Sequence, residues 1–153
     1  MNRIASLTLL ALGALAPAAS AQIVVQGVRD LDFGVVLPGL QTSVLATDPI
    51  QSGQYYFSTP ALGTRVRIRF DLPSQLDEPG GASMPITFKN NDAMIEGTAP
   101  ASPPVFFNPN ANTNLVMTTS RDANIWLGGT VSPVGGQAVG TYTAPVVVTI
   151  TIF

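Results

Sequence analysis

Between Arg65 and Leu72 apolar and charged side chains alternate without a fault, Val66, Ile68, Phe70 and Leu72 on one side and Arg65, Arg67, Arg69 and Asp71 on the other. A period of two belongs to an extended strand with one face buried and one in water. The chain end repeats it: Tyr142, Ala144, Val146, Val148, Ile150 and Ile152 point one way, Thr141, Thr143, Val147, Thr149 and Thr151 the other. These two stretches commit the chain to β structure.

Other segments read the same way. Strands are expected over Val28 to Val36, with Leu31 and Phe33 opposed to Asp30 and Asp32, and over Thr42 to Ala46, Gln54 to Ser58, Met84 to Lys89, Asn114 to Thr119, Ala123 to Leu127 and Gly140 to Phe153. Leu37-Pro38-Gly39, Pro79-Gly80-Gly81, Asn90-Asn91-Asp92 and Ser120-Arg121-Asp122 punctuate them as turns. Gly97 to Thr113 reads as a long surface connection docked through Val105-Phe106-Phe107, and Gly128-Gly129 as turn or bulge residues. Pro145 cannot donate to a ladder, which places it at an edge or a bulge. Roughly eight short strands with turns about every 8 to 12 residues predict an antiparallel β-sandwich.

The first 21 residues read as a secretory leader. Asn2 and Arg3 precede an uncharged, mostly apolar run from Ile4 to Leu15, and Ala19-Ser20-Ala21 forms an A-x-A cleavage site. The apolar core is about 12 residues, short of the roughly 20 needed to span a bilayer. Cleavage would leave residues 22–153 as a single exported domain in the periplasm, at the cell surface or outside the cell, with no transmembrane segment. A net charge of −2 over the whole chain offers no basic field for phosphate backbones, which argues against nucleic acid.

Histidine and cysteine are both absent. That removes Ser-His-Asp and Cys-His nucleophile systems, the usual zinc sites and any disulfide. Asp30/Asp32 and Asp77/Glu78 are the nearest carboxylate pairs in sequence, and they read as a strand's solvent face and a polar turn rather than acid-base dyads. Asn90-Asn91-Asp92 lacks the spacing of a calcium loop. No catalytic, metal-binding or cofactor-binding residues are expected, so the reading is non-enzymatic.

Two surface features invite binding. Arg65, Arg67 and Arg69 place three cations on one strand face, a row fit for an acidic glycan or an acidic neighbour, or a solvated face with acidic partners across the strands. Trp126 and Tyr55-Tyr56 could stack on sugar rings, which supports an alternative reading as a self-contained extracellular glycan-binding module.

Asp30-Leu31-Asp32-Phe33-Gly34, Leu127-Gly128-Gly129-Thr130, Gly140-Thr141-Tyr142-Thr143 and the closing Val/Thr/Ile strand resemble the bacterial secreted domain-of-unknown-function 4402 family, which is similar to spore coat protein U and more distantly to chaperone-usher pilins. The resemblance implies an immunoglobulin-like, pilin-like sandwich and a structural or interaction role as a fimbrial-type subunit. Its implied partners are other surface subunits joined by β-strand pairing, with a periplasmic chaperone and usher. Strand addition uses main-chain hydrogen bonds and alternating apolar side chains. The apolar, uncharged terminal strand suits it, with Val146, Val148, Ile150 and Ile152 as the expected pairing edge, because such an edge left open invites aggregation. Only Gln22 to Gly27 precede the first expected strand, which favours a receiving or self-complete sandwich over a donor.

Overall fold

The computed structural model describes residues 23–99 and 103–153; the expected leader and cleavage site lie outside them. The described residues form twelve strands: β1 (Val24–Arg29), β2 (Thr42–Val44), β3 (Gly53–Ser58), β4 (Arg65–Asp71), β5 (Gln75–Asp77), β6 (Ser83–Thr87), β7 (Ala93–Gly97), β8 (Val105–Phe107), β9 (Thr113–Val116), β10 (Asp122–Leu127), β11 (Gly129–Val131) and β12 (Val147–Ile152). They build three antiparallel sheets with orders β1-β3-β10-β7-β8, β2-β11-β6-β5 and β12-β4-β9. An isolated bridge between Asp77 and Thr143 ties the edge of the four-stranded sheet to the chain leading into β12.

The expected β-sandwich is what forms. Val66, Ile68 and Phe70 of β4 are buried against Phe57, Ala93, Ile95, Phe107, Ala123, Ile125 and Leu127 of the five-stranded sheet. The charged half of β4 is exposed, so the alternation was a true reading of two faces. A smaller cluster of Met84, Ile86 and Val131 packs beside Phe33, Val36, Leu76 and Tyr142. Each side chain taken fully out of water stabilises the fold by about 1.5–3 kcal/mol.

The strand boundaries differ from expectation in instructive places. Pairing at the start covers Val24–Arg29 rather than Val28 to Val36. The short segment expected to lie ahead of the first strand is therefore largely β1 itself, laid antiparallel on β3. Residues 30–36 join no strand: the Asp32 amide donates to the Gln51 carbonyl at 2.9 Å, the Asp32 carboxylate accepts from the Gly34 amide at 2.8 Å, and Gly34 turns the chain at φ 62°. Leu31 and Phe33 still face the interior, because alternation records an extended chain on a surface whether or not a ladder forms. At the other end the ladder covers Val147–Ile152 only, and Pro145 lies just outside it.

β5, β7, β8 and β11 were not anticipated. Residues 97–113, expected as a surface connection, contain β8, whose Phe107 is buried and stacks on Phe70 with ring centroids 6.4 Å apart. Gly128-Gly129, expected as turn or bulge residues, is a buried crossing between sheets: Leu127 ends a strand of the five-stranded sheet and Gly129 begins one in the four-stranded sheet. A Cβ on Gly128 would collide with the Val44 carbonyl and come within 2.7 Å of the Ala46 nitrogen, so only glycine lets the two backbones approach there.

Candidate functional site

β12 is the last strand of its sheet, with β4 on one side and no strand among the described residues on the other. In an antiparallel ladder, peptide groups point alternately toward and away from the partner strand. The Phe153 amide donates to the Arg65 carbonyl at 3.2 Å, one step beyond the Ile152–Val66 pair. That bond sets the phase: Val147, Thr149 and Thr151 spend their peptide groups on β4, while those of Val148, Ile150 and Ile152 face the free edge. The side chains of Val146, Val148 and Ile150 are half-buried against the main core, and Ile152 is exposed. Val148 and Ile150 thus combine half-buried apolar side chains with outward peptide groups.

The chain entering β12 forms one wall of a cavity of about 730 Å³. Residues 137–146 face residues 30–36 across it, and Tyr55, Leu76, Met84, Ile86 and Val131 contribute to its lining. Asp30 and Asp32 also lie on it. The wall is braced by Tyr142, whose hydroxyl donates to the Ala138 carbonyl at 2.7 Å and accepts from Gln137 Nε2 at 2.7 Å. Gln137 Nε2 also reaches the Ser83 carbonyl at 3.1 Å. The sequence reading missed this brace; a lone Tyr five residues after a Gln carries no pattern that marks it.

Arg65, Arg67 and Arg69 do share the exposed outer face of β4, but acidic partners across the strands are not there. Their neighbours are Thr149 and Thr151 on β12 and Asn114 and Val116 on β9. Arg67 Nε donates to Asn114 Oδ1 at 3.0 Å and its guanidinium lies 4.9 Å from the centre of the Phe153 ring. Arg69 pairs with Asp71 on its own strand at 2.6 Å, both side chains more than half exposed, a geometry that contributes at most about 1 kcal/mol.

Several carboxylates make short-range hydrogen bonds. Asp77 accepts from Gln75 Nε2 at 2.7 Å, and Glu78 from the Gly80 amide at 2.7 Å. Asp92 accepts from the Lys89 amide at 2.7 Å, closing the Asn90-Asn91 turn on itself. Amides of Gln51 and Ile50, each 2.8 Å from Asp48 Oδ1, hold that carboxyl below its ordinary range. No group of three or more acidic residues among the described residues is arranged to hold a metal ion.

The aromatic residues separate. Tyr55 turns inward, edge-on to Phe70 at 5.9 Å, and burial pushes its hydroxyl pKa up. Tyr56 and Trp126 belong to the outward register of β3 and β10. Hydrogen bonding to Asp122 raises the Tyr56 pKa, while Ser58 and then Tyr56 lower that of Asp122. No helix among the described residues is long and apolar enough to cross a membrane. No family model, curated protein or solved structure matches the chain.

Proposed function

We propose that this protein is a non-enzymatic, exported surface module that receives a β-strand from another protein along β12. The observation that carries the reading is the strand order. An immunoglobulin-like sandwich sets strands A, B, E and D side by side in one sheet and C, F and G in the other. The run β1-β3-β10-β7 follows A-B-E-D in chain order and in space, and the neighbours β4 and β12 take the places of C and F. The place beyond F, where G would lie, is empty among the described residues, and it is the free edge of β12.

An added strand would find outward peptide groups on Val148, Ile150 and Ile152 and, before them, the cavity beside residues 137–146 for alternate apolar side chains. Such an edge is a liability while uncovered, so a chaperone before assembly and a neighbouring subunit after it are the partners this chemistry calls for. A fimbrial-type assembly in the bacterial envelope is the setting that fits.

Native mass spectrometry of residues 22–153 with a peptide of residues 146–153 as the added strand tests the reading, since Val24–Arg29 are already engaged on β3. A one-to-one complex that Ile152→Pro abolishes is expected. A monomer indifferent to the peptide would count against strand reception from a second copy.

A further inference from the structure

We propose that the outer face of the five-stranded sheet, remote in role from the β12 edge, binds a neutral glycan. Phe57, Ala123, Ile125 and Leu127 fill the core from β3 and β10, so Gln54, Tyr56, Asn124 and Trp126 must project from the opposite face. The register makes them a two-by-two block, Tyr56 opposite Asn124 and Gln54 opposite Trp126. The aromatic rings occupy one diagonal and the amides the other, with diagonal neighbours about 7–8 Å apart.

All four are half-buried, held in place yet open to solvent. Gln54 Nε2 donates to Asn124 Oδ1 at 3.1 Å, which fixes both amides and leaves the Gln54 oxygen and the Asn124 nitrogen for a ligand. Rings that stack and amides that offer a donor beside an acceptor match a pyranose, with its apolar ring face and its vicinal hydroxyls.

Charge selects among glycans. Glu96, opposite Asn124, and Asp122 bring two carboxylates to this face. Arg29, the cation paired in register with Gln54, turns away: its Nε donates to the Ser52 carbonyl at 2.8 Å and its Nη1 to the Pro49 carbonyl at 2.6 Å. Arg121 lies close enough to Tyr56 and Asp122 to act on both, so the face carries both signs with no excess of cations, and the occupant is a neutral glycan.

Trp126 is the only tryptophan in the chain and therefore reports on this block alone. The test titrates residues 22–153 with cello-, chito-, malto- and xylohexaose while following tryptophan emission. At least one is expected to give a saturable change with Kd of about 1 mM or tighter. Tyr56→Ala and Asn124→Ala should each weaken it roughly tenfold, with thermal melts confirming that both variants are folded. Arg65→Ser/Arg67→Ser/Arg69→Ser should leave it unchanged. No response from any of the four sugars would overturn the proposal, as would a response whose Kd is unchanged in Tyr56→Ala. Binding only to polygalacturonate, lost in the triple arginine variant, would overturn it too and move the site to β4. Strand reception at β12 is read by mass and is independent of each result.

Discussion

Ile150 of β12 stands directly opposite Ile68 of β4, and the two divide the work of the strand pair unequally. Ile68 is fully buried, in a central strand with neighbours on both sides. Ile150 is half-buried at the margin, with its peptide group turned from β4 toward open space. Ile68→Ala should therefore destabilise the domain by about 2–5 kcal/mol, and Ile150→Ala by clearly less. Urea unfolding followed by tryptophan fluorescence measures both.

Proline substitutions separate the two sides of β12. Thr151→Pro removes an amide spent on β4 and should destabilise by about 1–3 kcal/mol. Ile152→Pro removes an outward amide and should cost less than about 1 kcal/mol, while weakening any strand added from outside. Equal losses of stability in the two variants would contradict the assigned phase.

Gly128→Ala places a methyl group against the Val44 carbonyl at the crossing between sheets. Backbone cannot yield there as a flexible side chain would, so a loss of more than about 3 kcal/mol is expected. Thermal melting checks it, with Gly135→Ala as the comparison, since a Cβ at Gly135 meets nothing within 4 Å.

The pH dependence follows from four side chains. Asp48 and Asp122 have lowered pKa values in the fold. Their contribution is present above the unfolded carboxyl value near 3.9 and is lost as pH falls through the folded value. Tyr55 and Tyr56 are raised, so their contribution is intact below about pH 10 and is lost as pH rises through the folded value. The chain has no histidine or cysteine, the side chains whose ordinary values lie between those limits. Asp122→Asn should shrink the acid-side loss in melts taken from pH 7 down to pH 3.

Legibility in the sequence followed the size of the periodic signal. β4 was readable because seven residues alternate between charge and hydrocarbon. β5, β8 and β11 are three residues each, too short for a period to declare itself. β7 hid because Ala93, Met94 and Ile95 are all buried, which erases alternation. The pairing edge could be proposed from the uncharged run at the chain end, but its phase needed the Phe153–Arg65 hydrogen bond. The outer-face block was half visible: Trp126 and Tyr56 stood out as aromatics, whereas Gln54 and Asn124 gain meaning only from a register that joins residues about seventy positions apart.

Residue-resolved hydrogen exchange of residues 22–153 tests the open edge most directly. The amides of Thr149, Thr151 and Phe153 should be protected and those of Val148, Ile150 and Ile152 should exchange rapidly, then become protected when a strand is added. Uniform protection along β12 in the isolated protein would contradict the account.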